Sequence, residues 1–311
     1  MYTTDGFKSE AKLLRGGTAG CYWAKSTSLF TTGNIDLDAD RVLCITKGEY
    51  SPFLDDYRLK ISDYYFNYDE VDAGEFEPDL EPGRAVSGVA NMAIVKKYLV
   101  VAAMSKNTDE MALYVTDDTL TWHRAEFPHD HKLREEAYTI LESTNYSIQL
   151  DVLTGSRPGN PMGVLLSSNS NGTYFTRNIE HTNREPTGYV DFEKMAGVQG
   201  IILVNTVENW KDVQDDVSAI KNVVSSISFD DGRNWEVLKT KEDERIHLHS
   251  VTEISNSGRV FSSPAPGVVM GIGNTGKYLK EYGDGDLYVS DDAGLTWELA
   301  LKGPHKYEFG D

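Results

Sequence analysis

SFDDGRNW at residues 228–235 and SDDAGLTW at residues 290–297 are the stretches that decide the fold. In the first, Ser228, Asp230, Gly232, Asn234 and Trp235 stand at positions one, three, five, seven and eight. In the second, Ser290, Asp292, Gly294, Thr296 and Trp297 stand at the same positions. This is the Asp-box pattern, S/T-x-D-x-G-x-T/S/N-W, set in the turn between two antiparallel strands. The aspartate accepts hydrogen bonds from amides of its own turn. The glycine supplies a positive φ that other residues reach only at a cost. The hydroxyls of Ser228, Ser290 and Thr296 bond across the turn, and the tryptophan covers the hairpin with a large apolar ring. A turn whose polar groups are all satisfied is a scaffold, not a catalytic site.

Weaker copies extend the pattern in both directions. TDDTLTW, residues 116–122, is one residue short and lacks the glycine. TTDGFKS from Thr3 and ISDYYF from Ile61 read as more decayed copies. The aromatic ends of these units fall at Phe7, Phe66, Trp122, Phe175, Trp235 and Trp297, with Phe175 placed by spacing. Successive separations are 59, 56, 53, 60 and 62. Common propeller blades repeat every roughly 40–50 residues. The longer repeat here fits a four-stranded blade with generous loops.

Between the turns the local signal is strand. LVVAAM (99–104), MALYVT (111–116), GIILVN (200–205), VVSSISF (223–229), GVVMGIG (267–273) and DLYVS (286–290) are short, rich in β-branched or aromatic residues, and bounded by turn residues. HKLREEAYTILE, around Glu135, reads as a turn entering a strand. DFEKMAG, from Asp191, reads as one short helix. The fold class expected is all-β: a partial β-propeller of about five to six four-stranded blades. Residues 1–311 form part of a single domain, with no separate second one. The sequence opens in the middle of a repeat, which suggests a fragment.

Composition narrows the function. Thirty Lys and Arg against 49 Asp and Glu give a net charge of −19. Nucleic-acid binding needs a basic face to release counterions, so it is disfavoured. No run approaches 18 apolar residues, so no transmembrane helix is expected. The start, MYTTDGFKSEAK, lacks a signal-peptide pattern and taken alone reads as cytosolic. Two glycosylation sequons point the other way, at Asn145 and Asn171. The only cysteines, Cys21 and Cys44, are 23 positions apart. A bridge between them is worth roughly 3 kcal/mol; unbridged, they are two buried thiols.

Several motifs suggest chemistry and fail on their surroundings. Gly271, Gly273 and Gly276 spell G-x-G-x-x-G, but no helix follows to hold a pyrophosphate, so the glycines mark a strand end and bend. His129-Asp130-His131 and His247-Leu248-His249 resemble metal ligands, but neither has a third partner. The acidic run from Asp69 to Glu81 and the triplet Asp284-Gly285-Asp286 read as solvated loops. No G-x-S-x-G elbow appears. No metal, cofactor or catalytic residue is expected.

Longer segments carry a family resemblance. GYVDFEKMAGVQGIILVN (188–205), HLHSVTE (247–253) and CYWAKSTSLFTT (21–32) resemble the sortilin family, in particular the lumenal sortilin-type domain of fungal vacuolar protein-sorting receptors. The most specific match is PAPGVVMGIGNTGKYL…DLYVSDDAGLTWELALKGPHKYEFGD (264–311). The resemblance implies a ten-bladed propeller that binds peptide or unfolded protein cargo in a wide tunnel. It implies a receptor, not an enzyme, that carries soluble hydrolases from the late Golgi to the endosome and vacuole. Full-length members have a membrane span. It also implies a Cys-containing blade around Cys21 and Cys44.

Two features depart from the family. No cysteine pair precedes H-L-H in KEDERIHLH. The arginine that anchors a cargo carboxylate in animal members aligns near Met111, so that anchor is not carried over. Tunnel-lining candidates are Val101, Ala103 and Ser105, with the strand around Ile148 to Leu150 as an equal alternative. The competing reading is an Asp-box glycosidase, sialidase-like or xyloglucanase-like. It would need an arginine triad or two placed aspartates, and neither can be assigned.

Overall fold

The computed structural model describes residues 1–25, 30–48, 56–67, 74–83, 86–95, 97–104, 111–128, 138–143, 147–154, 159–186, 188–195, 197–216, 218–250, 261–262 and 265–303. It is an all-β structure of antiparallel meanders. The first sheet runs β1 (Thr18–Trp23), β2 (Val42–Thr46), β3 (Arg58–Ser62), and Phe76 bridges to Ile61 at its far side. The second runs β4 (Val89–Val95), β5 (Tyr98–Met104), β6 (Met111–Thr116), β7 (His123–Arg124).

An eight-stranded sheet then joins two meanders. One is β8 (Tyr138–Ser143), β9 (Ile148–Thr154), β10 (Met162–Ser168), β11 (Phe175–Asn183). The other is β12 (Phe192–Lys194), β13 (Ile202–Val207), β14 (Val223–Ser228), β15 (Glu236–Val237). A single residue pair, Thr182 opposite Thr206, links β11 to β13. The last sheet holds β16 (Ile246–Leu248), β17 (Phe261–Ser262), β18 (Val269–Thr275), β19 (Asp286–Ser290) and β20 (Glu298–Leu301).

The apolar runs follow from stacking. Strands β2, β5 and β6 are buried on both faces, so they read as continuous hydrophobic stretches, not as alternation. Leu43, Ile45, Leu59 and Ile61 of the first sheet share one core with Leu99, Val101, Ala103, Ala112 and Tyr114 of the second. Leu203, Ile227, Ile246, Leu248, Val269 and Trp297 form another core, between the β12–β15 meander and the last sheet.

By internal contacts the chain divides into two units. One comprises residues 1–135, 145–148 and 168–175. The other comprises 136–144, 149–167 and 176–311.

Two local expectations change. Within DFEKMAG, Phe192–Lys194 form a strand and not a helix. Phe192, Glu193 and Lys194 pair with Val204, Leu203 and Ile202, because Phe192 and Met195 are apolar anchors for two cores flanking the strand. Among the described residues the α-helices are α1 (Ile35–Asp38), capped by the Asn34 side chain, and α2 (Trp210–Asp215). Neither shows an amphipathic repeat long enough to register in sequence. Gly273 lies within β18, where a Cβ would come 1.8 Å from the His247 carbonyl oxygen. It serves close strand approach and not a nucleotide.

Candidate functional site

The turn at 228–235 shows how the recurrent scaffold works. Ser228 Oγ donates to Asp230 Oδ1 (2.9 Å) and accepts from the Gly232 amide (2.8 Å). Asp230 Oδ1 accepts from the amides of Arg233 (3.0 Å) and Asn234 (2.8 Å), and Oδ2 accepts from the Asn234 side chain (2.6 Å). These donors, led by the Asn234 amide, hold the carboxyl down to about 2. The backbone is left-handed at two successive residues, Asp231 (φ 61°) and Gly232 (φ 85°). Trp235 lacks the indole bond that closes two of the other turns, and Asn178 instead donates to the Asp231 carbonyl (3.2 Å).

The turn at 290–297 repeats the design. Ser290 Oγ bonds Asp292 (2.8 Å) and the Gly294 amide (2.8 Å). Asp292 accepts from the Thr296 amide (2.9 Å) and hydroxyl (2.6 Å). Trp297 Nε1 donates to the Gly294 carbonyl (3.1 Å), and its ring is fully buried. A Cβ on Gly294 would lie 2.7 Å from Ile227 Cδ1.

The worn copies keep the bonds and lose the letters. In 116–122, Thr119 takes the glycine position at φ 67°, so the missing residue is one of the two left-handed ones. Asp118 Oδ1 still takes the amides of Leu120 (2.8 Å) and Thr121 (2.7 Å), and Trp122 Nε1 still donates three residues back, to the Thr119 carbonyl (3.0 Å). In 168–175, Asn169 replaces the aspartate and accepts from the amides of Thr173 (2.9 Å) and Tyr174 (3.2 Å), with Gly172 at φ 73°.

Near Thr3 and Ser62, the hydroxyls accept from the amides of Phe7 (3.1 Å) and Phe66 (3.0 Å). Both phenylalanines are left-handed, at φ 64° and 56°. Phe7 and Phe66 therefore stand at the glycine position and not at the aromatic one. The true repeat is the left-handed residue, at 7, 66, 119, 172, 232 and 294.

Cys21 and Cys44 lie directly opposite each other on β1 and β2 and are disulfide-bonded, Cα to Cα 4.1 Å. They pack with Leu14, Val42, Tyr65 and Phe66. Tyr2 stacks on Tyr65 at 4.7 Å and Trp23 meets it edge-on at 5.7 Å. A cavity of about 280 Å³ opens here between Tyr2, Arg15, Cys21, Tyr22 and Trp23. Arg15 is held by both oxygens of Glu75.

Val101 and Ala103 do not line an open surface. They lie on β5, an inner member of its sheet, and are fully buried in the shared core. Sequence reasoning drew them from β5 as the inner strand of that blade; in the sheet β5 is paired on both sides, and β4 precedes it. Ser105 lies outside the described residues. Ile148 and Leu150 are also buried. Among the described residues, β1 and β4 come first in the order of their sheets and pair on one side only, as does β7 at the other end of the second sheet. Both β1 and β4 carry a bulge, between Thr18 and Gly20 and between Val89 and Asn91. Asn91 is exposed there, and its side chain accepts from the Met92 amide (2.8 Å).

The remaining candidates divide. His129, His131 and Asn145 lie outside the described residues. Both ring nitrogens of His247 are engaged: Nδ1 accepts from the Ser225 amide (3.1 Å) and Nε2 donates to the Gly276 carbonyl (3.1 Å). Burial, then the Arg245 charge, pushes its pKa down. Among the described residues no three potential metal ligands converge. Asn171 is exposed on its turn, and the Thr173 hydroxyl donates to Asn169 (3.3 Å).

Sequence reasoning missed a buried polar seam. Asp191 Oδ2 accepts from Asn183 (2.9 Å) and Asn205 (3.0 Å). Asn205 accepts from Ser225 Oγ (2.6 Å) and donates to the Leu248 carbonyl (3.0 Å). Asp191 and Asn205 are single polar letters beside apolar residues, and that interruption was the one available signal.

The whole sequence, residues 1–311, matches the family described as "Sortilin, neurotensin receptor 3". The chain belongs to the sortilin–Vps10 family. Among its sortilin–Vps10 relatives, "Vacuolar protein sorting/targeting protein 10" of Chaetomium globosum is 63% identical over 319 residues, and that of Pyricularia oryzae 62% over 315. Each alignment covers all of this chain and 21% and 20% of the relative, so the chain spans about a fifth of their length. Among solved structures, the Niastella koreensis GH74 enzyme is 12% identical with a TM-score of 0.37, over 92% of this chain and 45% of that one. The last sheet of this sortilin–Vps10 chain holds the segment whose resemblance was most specific.

Proposed function

We propose that the chain is part of the cargo-binding region of a sorting receptor, facing the Golgi and endosome lumen, with protein cargo such as soluble vacuolar hydrolases. The observation that carries this reading is the full-length family match, with relatives above 60% identity named for vacuolar sorting and targeting. Residues 1–311 act as part of one propeller-type domain, and the six Asp-box-type turns are its scaffold. The cargo segment is extended. It pairs with the open margins of β1 and β4, where main-chain groups give affinity and side chains such as Tyr22 and Asn91 give selectivity. The bulges on both strands keep these margins from pairing indiscriminately with other sheets. Asn171 carries an N-glycan in a lumenal protein, and loss of a gel shift on glycosidase treatment of an Asn171→Gln variant checks it.

The glycosidase alternative is less well supported. Among the described residues the buried carboxylates are committed inside the fold, Asp38 to Thr31 and Thr32, Asp151 to Arg184 and Thr182, and Asp191 to two asparagines. Fluorescence anisotropy with labelled extended peptides from a soluble vacuolar hydrolase, run beside a fluorogenic xyloglucan-oligosaccharide assay, separates the two. Saturable peptide binding without turnover supports the receptor; turnover without binding overturns it.

A further inference from the structure

The polar seam lies where two meanders of the eight-stranded sheet meet through a short stretch of ladder. Only Thr182 and Thr206 pair between β11 and β13. Asp191 adds main-chain bonds, its amide donating to the Asn183 carbonyl (3.0 Å) and its carbonyl accepting from the Asn205 amide (3.1 Å), and side chains complete the joint. Asp191 bonds Asn183 at the end of β11 and Asn205 on β13, and Asn205 continues through Ser225 on β14 to the main chain of Leu248 on β16. One carboxyl therefore sits at the centre of a hydrogen-bonded line across four strands.

The charged neighbours of that carboxyl are few. Lys221 Nζ donates to Asn183 Oδ1 (2.9 Å) and to the carbonyls of Pro161 (2.7 Å) and Arg184 (2.8 Å), so it reaches Asp191 only through Asn183. Glu185 faces it with like charge. Arg184 is committed to Asp151 on β9, and His247 on β16 is neutral behind Ser225. No described cation makes an ion pair with Asp191, and an ionised carboxylate buried with amide partners alone carries a desolvation cost.

We propose that Asp191 is a proton-operated lock on the joint between the β8–β11 and β12–β15 meanders, tighter when the carboxyl is protonated and looser when it is ionised. Burial, opposed by the Asn183 and Asn205 amides, raises the group to about 6. The sign follows. The native state holds a proton that the unfolded chain, near 3.8, has released, so the stabilisation present at acid pH is lost as pH rises through about 6. The lock is independent of cargo and stands or falls separately from the receptor reading.

The test is hydrogen exchange of the 311-residue chain at pH 5.2 and 7.4, corrected for intrinsic rates, read on peptides covering 182–184 and 202–207. Protection in the wild type is expected to be ~7-fold higher at pH 5.2, and Asp191→Asn to remove that ratio. Lys221→Met, which removes the cation favouring the ionised form, is expected to move the wild-type transition to higher pH, so the lock remains testable should Asp191→Asn fail to fold. Equal wild-type protection at both pH values, a ratio that survives in Asp191→Asn, or a transition unmoved in Lys221→Met would overturn the proposal.

Discussion

Gly294 and Ala293 are neighbours in the same left-handed turn, at φ 92° and 63°. Only at 294 does a second constraint apply, because Ile227 occupies the space a Cβ would need. Gly294→Ala should therefore cost about 2–3 kcal/mol, from backbone strain plus the clash. Ala293→Gly should change stability by less than about 1 kcal/mol, since relieved strain is offset by greater freedom in the unfolded chain. Urea unfolding of both variants checks the pair. The strict Asp boxes were legible because each letter has one physical task. The decayed copies were legible only as spacing, because a hydroxyl and a left-handed backbone can persist after the aspartate and glycine are gone. Phe7 and Phe66 mislead for that reason: an aromatic there suggests the ring position, while the backbone uses them where glycine normally stands.

At the scale of elements, β20 separates scaffold from surface. Trp297, just before it, is fully buried, while Leu299 within it is 51% exposed. Trp297→Ala should destabilise by about 3–5 kcal/mol, and Leu299→Ala by no more than about 0.5 kcal/mol, read by thermal or denaturant unfolding. The bridge across β1 and β2 should matter comparably: Cys21→Ser with Cys44→Ser should lose about 3 kcal/mol, seen as a lower urea midpoint. Strand content was readable from β-branched and aromatic runs. Strand position within a sheet was not. The continuous apolar run of β5 belongs to a strand paired on both sides, whereas β4, with the mixed letters VANMAIV, stands at one end of its sheet. The short strand at 192–194 escaped because three residues cannot display a period.

Over the whole molecule, two classes of carboxylate respond to acid in opposite directions. Asp118, Asp230 and Asp292 in the turns sit below the usual range, as hydrogen bonds outweigh the cost of burial. Their stabilisation is present above the unfolded value of 3.8 and is lost only as pH falls through their lower folded values. Asp191 behaves inversely. The turns should thus stay intact at pH 5, and in a thermal melt series their own contribution should be lost only below pH ~4, once the contributions of Asp191 and of His181 and His247, whose depressed pKa values cost stability as the solution becomes acid, are subtracted. This long-range polar geometry could not be read from sequence, because Asn183, Asp191, Asn205 and Ser225 meet only after three strands and a loop have folded.

The central claim is that this sortilin–Vps10 chain is a binding scaffold whose first strands receive an extended cargo segment. Hydrogen exchange with and without a saturating extended peptide from a soluble vacuolar hydrolase tests it most directly. New protection concentrated in residues 18–23 and 89–95 is the predicted result. Protection absent from both strands, with the peptide demonstrably bound elsewhere or not at all, would contradict the account.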